Sequence, residues 1–68
     1  MDYTKDIGFY DLEPRQQQAR RVATLDEIAS QFGAIARDVI KSIYDWQHMT
    51  PMHLWHAAQI RDWNSTQR

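Results

Sequence analysis

From Leu25 onward, apolar side chains recur at Leu25, Ile28, Phe32, Ile35 and Val39, and again, after a polar Ser42, at Trp46 and Met49. The steps alternate between three and four residues, the period of a helix that buries one seam. Ala29, Ala36 and Ile43 widen that seam into a core-facing stripe, while Asp26, Ser30, Arg37, Lys41, Asp45 and His48 fall mostly on the other side. Thr24 and Glu27 have the T-x-x-E spacing of a capping box, which starts or re-registers a helix at Leu25. The pattern predicts one uninterrupted helix over 25–49, roughly 37 Å long, more than so short a chain can cover by itself. Thr50 followed by Pro51 is a helix N-cap with proline at the first helical position, so a second helix is expected over 51–63. On it Met52, Trp55, His56, Gln59 and Trp63 share one face, Leu54, Ala57 and Ala58 a roughly opposite one, and Ile60 lies at the edge.

Upstream the pattern weakens. Pro14, preceded by Glu13, suits a helix start, but over 14–22 only Ala19 and Val22 are apolar among Gln and Arg, which predicts a solvent-facing helix. Whether it is continuous with the next helix stays open. Residues 1–13 are expected to be an irregular acidic arm with Ile7, Phe9, Tyr10 and Leu12 as anchors, and 64–68 a polar tail. The expected fold is therefore all-α. A single small domain over 1–68 has an irregular arm, a long central helix and a shorter C-terminal helix, the two helices forming an αα-hairpin. Two such chains are expected to pair as a homodimer along Leu25, Ile28, Phe32, Ile35, Val39, Ile43 and Trp46.

Composition sharpens this picture. With 68 residues and no cysteine, neither disulfides nor thiolate-bound metals add stability, so helix packing, oligomerisation or a partner must supply it. No apolar run approaches the ~20 residues of a membrane span, which leads to an expectation of a cytoplasmic protein without a membrane. The net charge of −1 lacks the basic excess of a dedicated nucleic-acid binder. Acidic residues of the arm precede Arg15, Arg20 and Arg21, and the two sets can pair within or between chains.

The stretch LDEIASQFG, residues 25–33, resembles the first helix of a helix-turn-helix, with a small residue at the fifth place (Ala29), glycine at the ninth (Gly33) and an apolar residue at the fifteenth (Val39). Ile28 and Phe32 also match positions that this family buries. The resemblance implies a recognition helix over 36–46 with Arg37 and Lys41 facing a DNA duplex. The chain departs from the pattern at three points. Ser42 stands at the normally apolar eighteenth place, Ile35 where a capping side chain belongs, and Asp38 and Asp45 on or beside the surface meant for phosphates. Gly33 is thus either the turn glycine of that motif or, in a continuous helix beside Ala29, Ile40 and Tyr44, a notch that admits a neighbouring helix.

His53 and His56, with Asp45 and His48 before them, have metal-ligand spacing, but the break at Thr50–Pro51 separates the pairs and no longer zinc signature is present. Nucleophile elbows and phosphate-binding glycine loops are lacking, so neither an enzyme nor a cofactor is expected. What stands out is the concentration of Tyr44, Trp46, Met49, Met52, Trp55 and Trp63 in one region, residue types enriched at interface cores. Tyr44, Met49, Met52, Trp55 and Ile40 are the expected contacts with a larger protein. The chain then reads as a non-enzymatic regulator or inhibitor acting by stoichiometric binding, in the style of small bacteriophage and mobile-element proteins. The alternatives are a helix-turn-helix DNA-binding regulator and a structural part of a larger assembly.

Overall fold

In a computed structural model, which describes the backbone of residues 6–66 and the side chains of 6–61, the chain is all-helical, with no strand among the described residues. Expectations for residues 1–5, for the last two residues of the tail and for the side chain of Trp63 lie outside that range. A short 3-10 helix, Phe9–Asp11, leads into α1 (Pro14–Phe32), then α2 (Ala34–Ile43), a second 3-10 turn at Trp46–His48, and α3 (Pro51–Thr66). Each of the three α-helices packs against the other two.

Helix α1 starts where proline directs it, and the Glu13 N–H donates to Oε1 of Gln16, 3.1 Å, covering a backbone donor at the start. It runs without a break through Thr24, so 14–22 and 25–32 are one helix and the capping-box reading of Thr24 is corrected. Thr24 is buried in the helix, where its hydroxyl donates to the carbonyl of Arg20, 2.9 Å, one turn back. A hydroxyl that finds a partner within its own helix no longer has to interrupt it.

The uninterrupted helix over 25–49 is corrected as well. It breaks at Gly33, with φ 100° and ψ 154°, a region essentially closed to residues with a Cβ. The heptad seam is therefore cut in two. Its first half, Leu25 and Ile28, is buried by the chain's own helices, together with Ile40, Leu54, Ala57 and Ala58. Phe32, Ala36, Trp46, Met49 and Trp55 close around that core. The seam consequently does not face outward as a single strip along which two chains could pair. Helix α2 ends at Ile43 because Tyr44 turns extended, and the 3-10 turn that follows swings Trp46 and Met49 back onto the core.

The Thr50–Pro51 start behaves as expected. Thr50 Oγ1 accepts the N–H of His53, 3.2 Å, and its carbonyl accepts the N–H of Leu54, 3.0 Å. Helix α3 extends to Thr66, three residues beyond the expected 63. A second cap comes from the acidic arm, where Oδ1 of Asp6 accepts the N–H of Met52, 2.9 Å, bringing a carboxylate to the positive end of α3. Phe9 is buried beneath the guanidinium of Arg21, 5.1 Å from its ring centroid. Arg21 Nε donates 2.7 Å to the carbonyl of Met49, and Gln17 Nε2 donates 3.2 Å to that of Phe9. The arm from Asp6 onward is thus a strap across α1 and the start of α3. Its Asp6 carboxylate meets a backbone amide, while Glu13 makes an exposed pair with Arg15 at 3.8 Å.

Two outcomes are expected. Gly33→Ala should destabilise the fold by about 1–3 kcal/mol in urea titrations, because φ rather than space forbids the methyl group: nothing lies within 4 Å of the new Cβ. A neutral effect would mean that the break is relocatable. Asp6→Ala should cost about 1 kcal/mol through loss of the cap, and accelerated amide exchange at Met52 would locate that loss at the start of α3.

Candidate functional site

On α2 successive residues advance 100° around the axis. Ile35, Val39 and Ile43, four residues apart, therefore drift by only 40° per step and form one oblique apolar stripe. Ile40, about 100° from Val39, points into the core and is 0 % exposed. The stripe, beside it, stays mostly outside: Ile35 is 80 % exposed and Ile43 61 %, with half-buried Val39 between them. Asp38 and Ser42, both exposed, flank it. Tyr44, 37 % exposed, continues the surface past the helix end. Isolated exposed apolar residues are ordinary on protein surfaces. Two isoleucines and a valine in register on one helix are a patch.

The expected contact residues are distributed unevenly. Ile40 and Met52, read from sequence as partner contacts, are buried within the chain and face no partner. Trp55 is half-buried, its ring edge-on to Phe32 at 5.4 Å between centroids, and Met49 is half-buried against the core. Of the set proposed to bind a larger protein, Tyr44 alone is largely on the surface. Of the set read as core or dimer seam, Leu25 and Ile28 are core, and Phe32, Val39 and Trp46 lie half-buried. Ile35 and Ile43 are outward, where only an interface would cover them.

Arg37 and Lys41, the candidate phosphate contacts, are engaged within the chain. Arg37 Nε donates 3.1 Å to Oδ1 of neighbouring Asp38, and Lys41 Nζ sits 5.5 Å from the centroid of the Trp46 ring. An exposed pair and an exposed cation–π contact are weak and can be exchanged for phosphates. The carboxylate of Asp38 beside them cannot. His48 pairs with Asp45 at 2.8 Å, His53 is exposed and His56 half-buried, and no group of three potential metal ligands occurs among the described residues. A shallow depression lined by Arg20, Ala23, Thr24 and Glu27 runs along one helix face and is open to solvent. Among the described residues no helix is long and apolar enough to cross a membrane.

Of the anchors expected in the arm, Phe9 is buried and Leu12 half-buried, but Ile7 and Tyr10 are 73 % exposed and anchor nothing within the chain, while the role of Asp6 was missed. A carboxylate 46 residues from the amide that it caps leaves no local signal. The correction to Trp55 carries an expected outcome. Trp55→Ala should act mainly on stability, costing about 3 kcal/mol by denaturation, and loss of binding at unchanged stability would show that its ring serves a partner instead. No protein-family model, curated protein or solved structure matches the chain.

Proposed function

We propose that the chain is a non-enzymatic cytoplasmic protein that works by stoichiometric binding to another protein, as a regulator, inhibitor or adaptor, with the outward face of α2 as its contact surface. One observation carries the reading: Ile35 and Ile43 are exposed, 80 % and 61 %, on a helix that buries Ile40 in the core. Covering a side chain of that kind is worth about 1.5–3 kcal/mol, so two isoleucines can drive a modest association. The flanks, Asp38 and Ser42, give such a contact a polar rim.

The Gly33 break favours a second reading, since it puts a turn at the ninth place of the helix-turn-helix resemblance and makes α2 the candidate recognition helix. That reading faces Arg37 and Lys41, on the side of α2 away from Ile35 and Ile43, toward a duplex with Asp38 beside them, and leaves the two isoleucines uncovered. The chain also has a net charge of −1. Protein binding needs neither condition to be overcome.

The test is capture of partners by the tagged full chain with and without nuclease, followed by binding measurements on the purified partner. Nuclease-resistant binding that weakens at least tenfold, about 1.4 kcal/mol, in Ile35→Asp and Ile43→Asp, with helicity by circular dichroism unchanged, is the expected result. Retention that collapses with nuclease and is lost in Arg37→Ala and Lys41→Ala would replace it with the DNA-binding reading.

A further inference from the structure

Helices α1 and α2 are joined by one residue. Phe32 ends the first and Ala34 begins the second, whereas connections between packed helices usually run about 2–8 residues. The fold-back of α2 on α1 therefore rests on the two dihedrals of Gly33. The backbone on either side is already bonded as in a single helix. The Gly33 N–H donates to the carbonyl of Ala29, 3.1 Å, and the Gly33 carbonyl accepts the N–H of Arg37, 3.4 Å. Turning Gly33 to helical dihedrals keeps both bonds and adds those from the N–H groups of Ala34, Ile35 and Ala36 to the carbonyls of Ser30, Gln31 and Phe32. It also brings Ile35, 80 % exposed in the closed chain, into line with Ile28 and Phe32.

A lone chain gains nothing by straightening. Leu25 and Ile28 would leave the core that they share with Ile40, Leu54, Ala57 and Ala58, an exposure that outweighs a few surface hydrogen bonds. The surface that α1 vacates fits one thing on this molecule, another α1, and a second copy opened in the same way supplies it. Such an exchange re-forms between chains the contacts that α1 makes within one, so the core itself selects the partner. Short connections between packed elements favour it. Nothing lies within 4 Å of a Cβ built at Gly33, which leaves room for two hinges to cross. The arm travels with α1, to which Gln17 and Arg21 hold it. The Asp6 cap on Met52 and the Arg21 bond to the Met49 carbonyl then join two chains.

We infer that Gly33 is a hinge at which two copies of this chain exchange α1. Each copy opens to one helix over 14–43, and the α1 of one rebuilds the core on α2 and α3 of the other. The inference goes beyond the reading of α2 as a docking face and does not depend on it, since Ile43 lies at the far end of α2 from the hinge. The glycine sets the balance between the two forms. At φ 100° it suits the closed chain, which a residue with a Cβ does not, and in a straight helix it is among the poorest residues and alanine the best. Gly33 favours the closed monomer on both counts. The core must come apart before α1 can be exchanged, so the two forms interconvert at the pace of unfolding rather than of surface association.

The test is to refold the full chain from urea at high concentration and separate the products by size. Wild-type chains should give a monomer of 8.1 kDa and a minor, slowly dissociating dimer of twice that mass. Gly33→Ala should be mostly dimer, with a Kd lower by at least about a hundredfold, because two hinges change in each dimer. In the dimer alone, amide exchange at Ala34, Ile35 and Ala36 should slow at least about tenfold as those groups gain partners. Spin labels at exposed Gln16 and Ser42 of one chain, diluted with unlabelled chains, should lie roughly 39 Å apart in the dimer and closer in the monomer. Three glycines inserted after Gly33 should leave only monomer, since a long connection lets α2 fold back freely. Wild-type chains that give no dimer at any concentration overturn the inference, as does a Gly33→Ala chain that is monomeric or unfolded throughout. A dimer whose amides at 34–36 exchange as fast as those of the monomer also overturns it, because two closed chains then meet by their surfaces.

Discussion

The backbone at Gly33 decides which of this protein's apolar residues lie inside. Without the break, α1 and α2 would form a rod of about 30 residues and roughly 45 Å, with its stripe turned to one side along the whole length. The one remaining helix, α3, is too short to cover such a stripe. Breaking the rod lets α2 fold against both α1 and α3. Ile40, which lies off the predicted seam, becomes core, and Ile35, which lies on it, is turned out. The exposed face of α2 is thus a consequence of the same backbone conformation that makes a closed core possible.

That core is small, and polar interactions at the start of α3 complete it. Thr50 and Asp6 cap the helix, Arg21 holds the carbonyl of Met49, and the Arg21 guanidinium lies over the ring of Phe9. Among the described residues, no buried side-chain nitrogen or oxygen lacks a partner. Leaving such groups unpaired would cost about 1–3 kcal/mol each, a large share of the stability of a domain this size. The arm therefore contributes what a third side of core would contribute in a larger protein, a seal over α1 and the start of α3.

The parts legible in the sequence were those with a local cause. The all-helical class followed from periodicity, and the starts at Pro14 and Pro51 from proline and its neighbours. Leu25 and Ile28 followed as core from their spacing. The errors arose where packing in three dimensions decided between readings that the local pattern left equal. Thr24 fits a cap by pattern, but its hydroxyl is held by the carbonyl one turn back, and burial on α1 keeps it there. Gly33 admitted two readings, because a heptad pattern continues through a glycine whether or not the backbone does. Counting aromatic and Met side chains overstated the surface at Met52 and Trp55, which α3 turns inward. The outward face of α2 was legible only as half of a seam, since which half stays outside depends on packing in three dimensions.

The same packing bears on the choice between protein and DNA as ligand. A recognition helix presents donors and basic groups outward and reserves its apolar side for the core. Helix α2 keeps one apolar side for the core through Ile40 and Ala36, and then presents a second through Ile35 and Ile43. Its two basic residues lie about 160° round the helix from Val39, engaged with Asp38 and Trp46. An apolar stripe edged by exposed Asp38 and Ser42 and set apart from the basic residues suits a protein surface better than a phosphate backbone.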